Sequence, residues 1–263
     1  MNAMKIKEIT DVIERFAPLG WQESYDNAGL VVGRSDDEVR RALLAVDVTE
    51  EVLDEAEETG CDLIITHHPI IFHALKRFNS ADPVQRCVER AIRSRIALYA
   101  CHTNLDSAPG GMSWRLAGIL GIGNLRLLQP SSVEGVGFGV VGELPEAVEP
   151  LAYLGTVRER LGCGAIRYSD IAIPAVRRVA LCTGAGASLI GDALQAGADL
   201  YITADLKYND FMTPDKRLMV ADVGHFESEY CAIQLLFEVL SKNLCTFAVR
   251  KSERSRNPVN YLV

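Results

Sequence analysis

Histidine and aromatic residues are scarce in this chain: five histidines in 263 residues, and 7% aromatics. Long apolar runs are missing, and none approaches the ~20 residues a membrane-spanning helix needs, so no helical membrane protein is expected. An excess of positive charge is missing as well. Against 35 acidic residues stand 27 basic ones, a net charge of −8. That balance argues against a nucleic-acid binder, whose footprint is a basic patch or stripe. The seven cysteines are odd in number and form no Cys-x-x-Cys pair. Most lie within apolar strand or helix patterns, so reduced, buried thiols are expected rather than a disulfide framework or a zinc-thiolate site. Residues 1–10 carry no apolar stretch of signal-peptide type, and a cytoplasmic protein is expected. No low-complexity tract or long linker interrupts the chain, and 48% hydrophobic residues over this length suffice for one large or two modest cores.

The first apolar pattern, within 5–16, has a helical period in Ile6, Ile9, Val12, Ile13 and Phe16, and Pro18 and Gly20 end it. From Arg40 the pattern becomes strand, helix, strand. Residues 42–46 are apolar, Thr49 suits a helix N-cap, Glu50 and Glu51 suit the positive first turn, and Gly60 closes the helix before the buried strand 63–66. A helix over 83–93 and a strand over 96–101 continue the alternation, which predicts an α/β fold with a mostly parallel sheet. The same unit then recurs. Shifted by 137 positions, residues 177–203 lie on 40–66 without a gap, with nine of 27 positions identical, Gly-x-Asp-Leu-x-Ile-Thr among them. An internal duplication into two pseudo-symmetric α/β domains follows, since a single recurrence makes a pair rather than a stack. The expected divide lies near Gln129-Pro130-Ser131-Ser132, giving domains over 1–130 and 131–263, with the C-terminal segment able to pack back on the first.

Four of the five histidines fall after strands. His67 and His68 follow the strand 63–66, His102 and Asp106 follow 96–101, and His225 and Glu229 follow a strand over 217–221. In open α/β sheets, ligands collect at the carboxyl ends of strands. The last two pairs are both His-x-x-x-carboxylate, and a helix starting at Phe226 would stack His225 and Glu229 on one face. Imidazoles and carboxylates without thiolates suit a divalent cation such as zinc, manganese, iron or nickel. A carboxylate can bridge two ions, and two ions about 3.5–4 Å apart make a hydrolytic centre. His73, beside Phe72, reads as structural. The run Thr183-Gly184-Ala185-Gly186-Ala187-Ser188 joins a strand to a helix and offers either an anion cradle or a tight turn. It is neither a Walker loop nor a dinucleotide fingerprint. Asp26-Asn27 reads as a turn before a strand, able to line the site.

Four motifs, in order, resemble the Nif-three-like family, also called GTP cyclohydrolase 1 type 2 homologues. They are Asp26-Asn27-Ala28-Gly29-Leu30-Val31-Val32-Gly33, Thr66-His67-His68-Pro69, His102-Thr103-Asn104-Leu105-Asp106 and Gly224-His225-Phe226-Glu227-Ser228-Glu229. The resemblance spans nearly the whole chain. It implies a Nif-three-like fold, a toroidal homohexamer, and two divalent metal ions per subunit held by His67, His68, Asp106, His225 and Glu229, with Asp106 and Glu229 bridging. His102 matches a position beside that centre, which implies a supporting or substrate-handling role and makes it the candidate general acid or base. The family name implies hydrolytic attack on a nucleotide, GTP; the residues themselves carry no purine-specific motif. The alternative is a non-catalytic metal-binding protein, a metal chaperone or assembly scaffold, with a phosphoesterase as a third possibility. Asn209 stands where many relatives have histidine, and asparagine cannot carry a proton near neutral pH.

Overall fold

In the computed structural model, which describes residues 3–171 and 173–262, the apolar patterns become elements as follows. Residues 1, 2, 172 and 263 of the expected domains lie outside the described residues. Strand β1 (Met4–Lys5) leads into α1 (Ile6–Phe16), followed by β2 (Gly29–Val32), β3 (Glu38–Val39), β4 (Arg41–Ala45), α2 (Glu50–Thr59) and β5 (Leu63–Thr66). Next come α3 (Pro83–Ser94), β6 (Ala97–Ala100), α4 (Thr103–Ser107), α5 (Met112–Leu120), β7 (Gly123–Pro130), β8 (Gly137–Val148) and α6 (Pro150–Leu161). Then β9 (Arg167–Tyr168), β10 (Val176–Ala185), α7 (Ile190–Gln195), β11 (Leu200–Ala204), β12 (Met219–Asp222), α8 (His225–Glu229), α9 (Cys231–Asn243) and β13 (Ala248–Lys251) complete the order. Among the described residues, no helix is long and apolar enough to cross a membrane.

Two units emerge, one of residues 1–105 with 232–256, the other of 106–231 with 257–263. The first is built on a five-stranded sheet in the order β13-β4-β5-β6-β2, parallel except at β2. Its core joins Leu43, Ile64 and Leu98 of the strands to Val52, Leu53 and Ala91 of the helices. The second has the six-stranded order β7-β8-β10-β11-β12-β9, in which only β10, β11 and β12 run parallel. Residues 106–130 belong to this unit because β7 pairs antiparallel with β8, Leu127 opposite Val140. Residues 232–256 belong to the first because β13 pairs with β4, Val249 opposite Ala42.

Inside each unit the repeat keeps its register. Ala42, Leu43 and Leu44 stand opposite Leu63, Ile64 and Ile65, and 137 residues later Val179, Ala180 and Leu181 stand opposite Leu200, Tyr201 and Ile202. Its identities have a physical cause. The Asp62 carboxylate accepts the backbone N–H of Arg40 and Arg41, and Asp199 does the same for Arg177 and Arg178. Gly60 and Gly197 follow their helices at φ +65° and +67°, a left-handed turn that glycine enters without strain. The copies part at the end of β10, where the register shifts between Leu181 and Ala185.

Six cysteines are buried thiols, and Cys245 is exposed. Burial pushes the Cys87 thiol up to about 11 and Cys163 up to about 12, so neither is a reactive thiolate at neutral pH.

Candidate metal centre

In the first unit, the ends of β5 and β6 bring three imidazoles together. The rings of His67, His68 and His102 lie with centroids 5.0, 5.3 and 5.5 Å apart, and their ligating atoms all fall within 4.8 Å of one another. Each ring is held from behind. His67 Nδ1 donates to the Cys101 carbonyl at 2.9 Å, His68 Nδ1 to Asp47 Oδ1 at 2.7 Å, and His102 Nδ1 to Asp26 Oδ1 at 2.7 Å. A carbonyl or carboxylate oxygen can only accept, so each Nδ1 carries the hydrogen and Nε2 is left as the atom that can ligate. His67 is fully buried. Asp26, its side chain buried, also accepts from the Thr103 backbone and hydroxyl. Burial alone would raise its pKa, but hydrogen bonds from His102 and Thr103 outweigh that and hold the carboxyl down to about 2.

In the second unit, α8 stacks His225 over Glu229, with Nε2 3.0 Å from Oε2. Carboxylate oxygens of Asp106 and Glu229 lie within 4.8 Å of each other. Asp106 accepts from Thr183 Oγ1 at 3.1 Å, and His225 Nδ1 donates to Asp205 Oδ2 at 2.8 Å. Burial works against a charged His225, yet the hydrogen bond and charge of Glu229, then those of Asp205, raise its pKa to about 9. At neutral pH the bare ring is therefore protonated, and a cation must displace that proton. Affinity for a divalent cation is expected to fall by up to about tenfold per unit as pH drops below 9. Calorimetric titration in buffers of different ionisation enthalpy counts the released proton; a flat profile between pH 7 and 9 would contradict the assignment. In the metal-free protein the same raised pKa contributes stability that is present below 6.5 and lost as pH rises through 9.

The donor chemistry fits a divalent cation: imidazole nitrogens fixed by outer hydrogen bonds, two close carboxylates, and no thiolate. The sequence does not single out Asp47 or Asp205 as site residues, and it reads Asp26 as a turn able to line the site. All three orient an imidazole. Asp47 and Asp205 lie just past the ends of β4 and β11, so the strand-end rule that singled out the histidines would have found them too. Under the 137-residue shift, Asp205 takes the place of His68, so one copy carries an imidazole where the other carries a carboxylate that holds one. Asp205→Asn is expected to weaken cation binding by about 10–100-fold, the usual cost of losing an outer partner; a metal titration measures it.

The 183–188 run proves to be a tight turn rather than an anion cradle. The Gly184 N–H donates to Ser228 Oγ and the Gly186 N–H to Thr203 Oγ1, each at 2.9 Å. Gly184, at φ +63°, leaves space that Glu229 fills: a Cβ there would sit 2.2 Å from Oε1. His73 and Asn209 are exposed.

Comparison with known proteins adds a family. The Duf34/NIF3 (NGG1p interacting factor 3) family matches residues 4–258. A Clostridium perfringens protein named GTP cyclohydrolase 1 type 2 homolog is 35% identical over 244 residues, covering 92% of this chain and 93% of that one. Among solved structures, a Bacillus cereus protein related to NIF3 is similar at a TM-score of 0.91 and 23% identity, covering 100% of both chains. A Staphylococcus aureus hypothetical protein is similar at 0.91 and 25% identity, covering 99% of this chain and 100% of that one.

Proposed function

This chain belongs to the Duf34/NIF3 family, and from that premise we propose that it is a metal-dependent hydrolase with a dinuclear centre. His67, His68, Asp106, His225 and Glu229 would hold the two ions, as the family resemblance implies. The observation that carries the proposal is the anchoring of the imidazoles. His67, His68, His102 and His225 each commit Nδ1 to a carbonyl or carboxylate and keep Nε2 for ligation, the pattern of metal-binding histidines. Divalent cations held there supply Lewis acidity and activate water near neutral pH.

The chain's own residues do the rest. Asp26, held ionised, fixes His102 so that its Nε2 can pass a proton to or from the reacting group. The proximity of His102 to His67 and His68 also supports a second role, as a further nitrogen ligand. His102→Gln separates the two: retained metal with lost turnover indicates proton transfer, and lost metal indicates a ligand. The substrate class is a nucleotide, attacked hydrolytically as in the relatives' name, and the assembly is a cytoplasmic homohexamer. Turnover of GTP by protein loaded with zinc, manganese, iron or nickel tests the reaction. Full metal without turnover of GTP or phosphoesters would favour the metal chaperone or scaffold. A mass in solution of 28.8 kDa, that of one chain, would contradict the hexamer.

A further inference from the structure

Two aromatic side chains of the first unit lie exposed, and one of them, Phe72, stands against the His102 imidazole. Tyr25 is 65% and Phe72 40% exposed, although packing them inward would remove apolar surface from water. Their rings meet edge to face, with centroids 6.4 Å apart at 66°, and Phe72 stands edge-on to His102 at 6.0 Å and 87°. Hydrogen bonds fix this ledge. Asn27 Nδ2 donates to the Ile71 carbonyl at 2.6 Å, and the Asn27 N–H donates to Asp26 Oδ1 at 2.7 Å, the carboxylate that holds His102. One network thus sets the aromatic pair, their turns and the candidate proton carrier.

The segment beyond Phe72 has the opposite charge to the rest of the molecule. Residues 70–81 include His73, Lys76 and Arg77 and no acidic residue, in a chain of net charge −8. All three of those side chains are exposed. Lys76 is four residues beyond Phe72, at most about 14 Å along an extended chain, a separation that a ring and the anionic group attached to it through a sugar can span.

We infer that Tyr25 and Phe72 form the binding ledge for a flat aromatic ring bearing an anionic group, presenting that ring to His102 while Lys76 and Arg77 receive the anion. The inference rests on the hydrolase reading of the same site and names the residues that would hold its substrate. Aromatic side chains bind such rings by stacking, which depends on the π-face and tolerates different ring substituents. Lysine and arginine supply charge-assisted hydrogen bonds to a phosphate.

Calorimetric binding to the full chain tests it, with GMP, guanosine and ribose 5-phosphate as probes and metal content measured on the same samples. GMP should bind about tenfold tighter than ribose 5-phosphate, the size of one stacking contact. Phe72→Ala and Tyr25→Ala should remove that preference and leave ribose 5-phosphate unchanged, while Phe72→Tyr retains it. Lys76→Ala with Arg77→Ala should weaken GMP and ribose 5-phosphate alike and spare guanosine. GMP binding unchanged by Phe72→Ala, equal binding of GMP and ribose 5-phosphate, or dissociation of the assembly by Phe72→Ala would overturn the ledge. Metal content separates the two readings: wild-type protein that keeps metal but shows no ring preference refutes the ledge alone, and a ring preference without bound metal refutes the hydrolase alone.

Discussion

Glu229→Gln is expected to weaken divalent-cation binding by more than the roughly hundredfold upper cost of losing an outer partner, and to abolish metal-dependent turnover. Glutamine keeps the size of the side chain, so packing around this 3%-exposed position survives. What disappears is one of two carboxylates held within 4.8 Å of each other. Two like charges so close, Glu229 buried and Asp106 half-buried, repel each other; protonated His225 offsets part of that cost, and a dication would relieve it further. The substitution also removes the carboxylate that raises the pKa of His225, so the histidine should titrate nearer its ordinary value. Metal titration together with an NMR titration of the His225 ring measures both effects. Unchanged affinity with a shifted His225 pKa would show that Glu229 only tunes the imidazole.

Gly184→Ala is expected to destabilise the protein by about 2–4 kcal/mol, combining a left-handed residue with a buried collision, and to weaken cation binding at least about tenfold. Position 184 has φ +63°, where a side chain costs about 1–2 kcal/mol. The new methyl would also lie 2.2 Å from Glu229 Oε1 and 3.4 Å from His225 Nε2. Backbone cannot yield easily here, because the Gly184 N–H is tied to Ser228 and the carbonyl to Thr203 Oγ1. Gly60→Ala and Gly197→Ala are the controls. They share the positive φ, but a Cβ there meets only the tip of Arg41 at 3.7 Å or of Arg178 at 3.4 Å. They should cost only the backbone penalty and leave cation affinity unchanged, as thermal melts and metal titrations of the three variants will show.

The parts of the fold legible in the sequence are those set by neighbouring residues. Helix α2 begins where Thr49 accepts from the Val52 N–H and ends before Gly60, as its capping residues indicate. Helix α6 follows Glu149, which caps two amides with its carboxylate. Strands β4 and β5 are continuous apolar runs. The rest depends on partners distant in the chain. Nothing local marks β7, which is mostly exposed and exists through its pairing with β8. Strand β13 is four residues long and pairs with β4 some two hundred positions earlier. The helix expected to start at Phe226 proves to be α8, which carries His225 and Glu229 and stops there, and a separate helix, α9, carries the core-facing stretch. At the site, histidines stood out because four of the five follow strands. Asp47 and Asp205 also follow strands, but aspartates are common, and the folded chain shows that these two accept from an imidazole.

Elemental analysis of the protein after equilibration with a divalent cation and removal of excess tests the central claim most directly. The account predicts about two ions per chain in the wild type, as a dinuclear hydrolytic centre requires, and fewer than about one in a His67→Ala, Glu229→Ala double variant. A wild-type protein that retains less than about one ion per chain, or a double variant that retains as much as the wild type, would contradict it.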